Sequence, residues 1–132
     1  MRRIVLLYLI SLISFSLMAE RVENVTALNV AKTIAPDSEL IDLSSNSIFN
    51  NFYIFSGEHS FVIISADDRA TPVLAYSNEF PFVVENMPDN INYWLTSLND
   101  EIQYAIDNNV VASDEIRSDW DNLKRGIKPE PK

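Results

Sequence analysis

The chain has 132 residues, with 19 acidic against 10 basic side chains, one His, two Gly and no Cys. That inventory excludes thiol chemistry, Cys-ligated metals and a glycine-rich phosphate cradle, and a net charge of −9 opposes binding to nucleic acid. Nearly half the residues are hydrophobic, which requires a packed core rather than a disordered acidic chain.

Residues 1–19 read as a secretory signal peptide. Met1-Arg2-Arg3 is a basic start, Ile4 to Met18 is an apolar run broken only by Ser11, Ser14 and Ser16, and Ala19 offers a small residue at the cleavage point. Leu17, at −3, is bulkier than that position favours. A membrane anchor is the alternative, but about 15 apolar residues fall short of the ~20 a span needs. Without the leader, 10 basic groups become 8 against the same 19 acids, a net charge of −11. The expectation is an exported, secreted or periplasmic domain over residues 20–127, with a flexible tail at 128–132. It has no disulfides, no nucleic-acid partner and no affinity for anionic lipid.

Arg21 to about Thr33 suggests a short helix, with Val22, Val25, Leu28 (or Ala27) and Ala31 on its apolar face. Asn24-Val25-Thr26 matches a glycosylation acceptor pattern and is read as coincidence on the helix surface. Pro36 stops the helix, and Leu40-Ile41-Leu43 marks a short edge strand or a tethered loop. Phe49 to Phe55 is β, with Phe52 and Ile54 facing one way and Tyr53 and Phe55 the other. Gly57-Glu58-His59-Ser60 turns the chain, so His59 is a turn spacer rather than a catalytic base. Phe61-Val62-Ile63-Ile64 is apolar on both faces, which suits a central strand covered on both sides. Asp67-Asp68-Arg69 is a second turn, since nothing nearby completes an oxygen cage for a cation. Pro72 opens a third strand, Val73 to Tyr76.

Phe80-Pro81-Phe82-Val83-Val84 is apolar but enclosed by Asn78, Glu79, Glu85 and Asn86. Phe82 to Val84 reads as a further strand of the meander, and the alternative is an exposed segment that a partner covers. Pro88-Asp89-Asn90 opens the longest helix, where Ile91, Trp94, Leu95, Leu98, Ile102, Ala105 and Ile106 form the apolar face. Trp94 and Leu98 are its expected anchors. Asn108-Asn109 ends it, and Ser113 caps a last helix carrying Trp120 and Leu123 and closed by Gly126. The fold class is therefore α+β: a small antiparallel meander of three to five strands packed against helices, chiefly the long one.

Phe61-Val62-Ile63-Ile64-Ser65-Ala66-Asp67-Asp68-Arg69, followed by Pro72-Val73-Leu74-Ala75-Tyr76-Ser77, resembles the propeptide of streptopain-type cysteine proteases. That family reads approximately G-F-V-I-V-S-G-D-x-R and then P-x-L-G-Y-S. Glu85-Asn86-Met87-Pro88-Asp89-Asn90-Ile91, Trp94-Leu95 and Glu101-Ile102 are similar to its loop and final long helix. Ser60, Ala66 and Ala75 depart from it, standing where Gly is common, so the same fold with adjusted turns is expected. In the proteases a Cys/His catalytic domain follows a linker similar to Trp120-Asp121-Asn122-Leu123. No such domain follows here, so the resemblance implies a detached propeptide that inhibits a streptopain-like cysteine protease in trans. The alternatives are a folding chaperone for a separately encoded protease domain and a secreted binding module without a protease partner.

The resemblance also implies a site. In such propeptides an Asn at the start of the long helix displaces the catalytic His, which puts Asn90 in that role. Glu85, Asn86, Met87, Pro88 and Asp89 then line the same contact, with Phe80 at the edge of the loop. Read without the resemblance, Asn90 is an ordinary first-turn helix residue. No catalytic residue, cofactor or metal is expected, and the free protein is expected to be a monomer.

Overall fold

The computed structural model describes residues 19–129. The signal-peptide and membrane-anchor readings of 1–18, and the last three residues of the tail, lie outside the described residues. Helix α1 (Asn24–Ile34) leads into strand β1 (Ile41–Asp42) and a short 3₁₀ turn (Ser44–Asn46). Strands β2 (Phe52–Ser56), β3 (Phe61–Ser65) and β4 (Val73–Ser77) follow, then helices α2 (Asp89–Asp107) and α3 (Asp114–Lys124). The strands form one antiparallel sheet in the order β1-β2-β3-β4, so the expected α+β meander is the fold observed.

Side chains alternate across a strand, and β2 and β3 are apolar on both faces at every position but their last, Ser56 and Ser65. Phe55, Val62 and Ile64 face one core, closed by Ala27, Val30, Ala31 and Ile34 of α1 and by Trp120 and Leu123 of α3. Phe52, Ile54 and Ile63 face the other core, closed by Leu95 of α2. The sheet is thus covered on both sides, which is why its two inner strands read as continuous hydrophobic runs.

Three expectations need correction. The buried stripe of α1 is Ala27-Val30-Ala31-Ile34, and Val25 is exposed. A spacing of three alone drifts by about 60° per step, so Val22, Val25, Leu28 and Ala31 cannot share one face; the 3,4 spacing can. Nor does α1 begin at Arg21. Residues 20–22 are extended along the β3–β4 turn, where Val22 N–H donates to Ala66 O (2.8 Å) and Arg21 bridges to Asp67. Second, Phe82 to Val84 is not a strand. The N–H of Phe82 donates to the Ser56 hydroxyl (2.9 Å), a side chain at the end of β2, rather than to a neighbouring strand.

Third, Trp94 does not anchor α2. It is 38% exposed, whereas Leu95 and Ile102 are buried and Ile91 and Leu98 are half-buried. The line through Ile91, Leu95, Leu98 and Ile102 defines the inner face, and Trp94 lies about 70° round the helix from it. A polar clamp fixes α2 to the sheet. The N–H of buried Asn51 donates to Asn99 Oδ1 (3.1 Å), and its Nδ2 donates to Asn99 O (3.0 Å) and Gln103 Oε1 (3.2 Å).

The turns behave as the residue types require. Gly57 N–H donates to Ser60 O (2.8 Å), closing the β2–β3 hairpin. The Ser60 hydroxyl, at one of the positions where the propeptides favour Gly, donates to Ser38 Oγ (2.6 Å). In the next turn Asp67 accepts from the Arg69 N–H (2.9 Å) and pairs with its guanidinium (3.0 Å), which occupies the carboxylate. Ser113 caps α3 by accepting from Ile116 N–H (3.2 Å), and Gly126, at φ +77°, closes it. The Trp120 indole N–H donates to Ala70 O (2.9 Å), tying α3 to the far end of the same turn.

Candidate functional site

The segment from Asn78 to Pro88 joins β4 to α2 with no regular structure. Both of its ends are fixed. At the start, the Ser77 hydroxyl accepts from Glu79 N–H (3.1 Å) and Phe80 N–H (3.2 Å), which bends the chain off the end of β4. Phe82 is then held twice, by its N–H on Ser56 and by an edge-to-face contact with Phe61 at 5.4 Å between ring centres. At the far end Met87 packs on the Phe52-Ile54-Ile63-Leu95 core. Pro88, with φ −57° and ψ 146°, starts α2, and its carbonyl accepts from Ile91 N–H (3.1 Å) and Asn92 N–H (3.0 Å).

Between these anchors the loop turns outward. Phe80 is 64% and Val83 63% exposed, while Phe82 and Val84 are half-buried. This in–out alternation without a partner strand is what made the segment read as β. Asn86 has φ +54°, in the left-handed region that Asn tolerates better than most residues. Asp89 and Asn90 occupy the exposed first turn of α2, and the Asn90 amide makes no hydrogen bond to another described residue.

Of the residues the sequence singled out, Phe80, Glu85, Asn86, Pro88, Asp89 and Asn90 lie exposed on this one loop and helix start. Met87 differs, since its side chain serves as the loop's inner anchor. The sequence reading missed Ser56 and Ser77, whose hydroxyls shape the loop, and Val83, its second exposed hydrophobe. A Ser followed two residues later by Glu at a strand end was the available signal for the bend at Ser77.

An open groove of about 940 Å³ adjoins the loop's start. Ile34, Pro36, Glu39, His59, Pro81 and Phe82 are among its walls. His59 stands exposed at the tip of the hairpin, as a turn spacer would. No basic residue occurs between Arg69 and Arg117, so the whole loop and all of α2 are acidic or neutral.

No curated protein and no solved structure matches the chain at a significant level. The model of one family, the Spi protease inhibitors, matches residues 18–102. That match takes in α1, the complete sheet, the loop with Asn90 and α2 as far as Ile102, well over half of the chain. The chain therefore belongs to the Spi protease inhibitor family, which implies a protease as its partner.

Proposed function

We propose that this protein is an exported inhibitor of a streptopain-like cysteine protease, and that it fills the active-site cleft as a detached propeptide would. The observation that carries this reading is the loop at 78–90: exposed, free of basic groups and pinned at both ends, in a chain of a protease-inhibitor family. Export rests on the leader at residues 1–19, with processing after Ala19.

Chemistry supports the loop as the inhibitory element. A scissile bond must be presented on extended backbone. Here the chain turns at Glu85-Asn86, with Asn86 in the left-handed region, and then enters a helix at Asp89 whose peptide groups are bonded internally. From Glu85 to Asn90 the segment thus offers no strand-like peptide to the nucleophile of the cleft it fills. Asn90 follows at once. Its amide carries two donors and an acceptor, all unused among the described residues, and these substitute for the partners of a catalytic imidazole. Because Ser56, Phe61 and the α2 clamp already hold the loop, little ordering cost remains at binding.

The test is steady-state inhibition of a mature streptopain-type protease by residues 20–132, with Asn90→Ala alongside. Tight inhibition by the wild type, weakened at least about tenfold by the substitution (about 1.4 kcal/mol), is the expected result. No inhibition by a protein verified as folded removes the reading. Undiminished inhibition by Asn90→Ala removes the assigned role of that residue alone.

A further inference from the structure

Helix α2 has three faces rather than two. Ile91, Leu95, Leu98 and Ile102 face the core, and Asn92, Thr96, Asp100, Gln103 and Asp107 form a polar face. The remaining strip runs Asn90-Tyr93-Trp94-Ser97-Glu101-Tyr104, at the 3,4 spacing that keeps one line along a helix. Its three aromatic residues are all exposed, Tyr93 at 76%. The Tyr93 and Tyr104 rings stack on no other aromatic ring, and neither hydroxyl has a hydrogen-bond partner among the described residues. Three large aromatics placed in water on a helix that already has a complete inner face contribute little to folding.

We infer that this strip is a second contact surface for the inhibited protease, docking on an apolar and cationic region beside the active-site cleft; the inference rests on the inhibitor reading above. Three observations identify the occupant. The strip begins at Asn90, so it continues the loop contact without a break. The loop supplies too few residues alone, since a stable interface takes about 20–30 residues on each side. The charge is also one-sided. From Ala70 to Ile116 there are eight acids (Glu79, Glu85, Asp89, Asp100, Glu101, Asp107, Asp114 and Glu115) and no Lys, Arg or His. Glu101 lies within the strip and Asp100 at its border, so a Lys or Arg of the partner meets both carboxylates and aromatic faces. A second copy of this chain would bring the same acids face to face and is disfavoured on that ground.

The experiment uses residues 20–132 carrying Tyr93→Ser, Trp94→Ser or both, and the conservative Trp94→Phe. Two readouts are taken on one mature streptopain-type protease: inhibition of the active enzyme, and binding to a form whose nucleophilic Cys is replaced by Ser. Thermal unfolding of every variant verifies the fold. The double variant is expected to bind at least about tenfold more weakly, chiefly through faster dissociation, while Trp94→Phe retains most of the affinity. Wild-type association is expected to slow as salt is raised. Equal binding by wild type and double variant overturns the inference and leaves the inhibitor reading standing. Binding without inhibition, lost in the double variant, keeps the strip and overturns cleft blockade. No binding by the folded wild type overturns both.

Discussion

Trp94 and Leu95 are neighbours in sequence, and the structure assigns them opposite duties. Leu95 is fully buried among Phe52, Ile54 and Ile63 and is the central apolar contact between α2 and the sheet. Leu95→Ala removes that wedge and leaves a cavity that the strands, bonded on both sides, have little freedom to close. Such substitutions cost about 2–5 kcal/mol, and the enclosed position puts this one near 3 kcal/mol or above. Against a domain stability of about 5–15 kcal/mol, that is a large share. At about 4–8 °C per kcal/mol it lowers Tm by some 12–24 °C. Trp94 is 38% exposed and outside the core, so Trp94→Ala is expected to stay within about 1 kcal/mol despite removing the larger side chain. Urea and thermal unfolding of residues 20–132, followed by far-UV circular dichroism, measure both. If Trp94→Ala proved as costly as Leu95→Ala, the rotational setting of α2 would be wrong, and with it the exposed strip.

Two further outcomes test the other side of the sheet. Trp120→Ala empties the space between α1 and α3 and leaves the Ala70 carbonyl without its indole donor, so a loss of about 3–5 kcal/mol is expected. Trp120→Phe, which keeps most of the packing, is expected to lose less than half of that, and chemical denaturation separates them. Asp42 gives a pH dependence. Partial burial pushes its carboxyl up, but the Ser44 side chain, the Ser44 backbone N–H and the Asn24 amide outweigh this and hold its pKa below the usual value. A lowered pKa means stabilisation that is present above the unfolded-state value of about 3.9 and is lost as pH falls through the folded-state value. The site is mostly exposed, so the effect is under about 1 kcal/mol. The Tm gap between wild type and Asp42→Asn is therefore expected at pH 7 and should shrink by pH 3.

The sheet and the long helix were legible because each rests on a local period. Phe52 to Phe55 and Phe61 to Ile64 alternate between two cores, and nothing outside those strands is needed to see it. The exposed faces were harder. Trp94 sits where the 3,4 spacing allows it to be inner or outer, and hydrophobicity alone chose inner. Val25 was placed inside by a spacing that drifts off the helix face. At Phe82 to Val84 the alternation was real, but a strand also needs a partner backbone, and the bond went to Ser56, 26 residues away in sequence. The Asn51 clamp on α2 spans 48 and 52 residues, beyond any local pattern. The role proposed for Asn90 rests on resemblance to the propeptides alone, since its residue type and spacing mark it only as a helix start.

The aromatic strip also addresses an energetic difficulty of the proposed function. A tethered propeptide meets its enzyme at an effective concentration of the order of millimolar. A free inhibitor present at about micromolar concentration forfeits a factor of about 10³, or about 4 kcal/mol, for the same contacts. Preorganisation of the loop by Ser56, Ser77 and Phe61 recovers part of this by reducing the ordering cost. The acids between Arg69 and Arg117 raise the encounter rate with a basic partner, but charge at a solvated rim adds little to residence time. What remains must come from desolvated contact. Two aromatic side chains at about 2 kcal/mol each match the size of that deficit. On the proposed reading, Tyr93 and Trp94 therefore matter more to a detached inhibitor than to a tethered propeptide, which has the loop's work done for it by the linker.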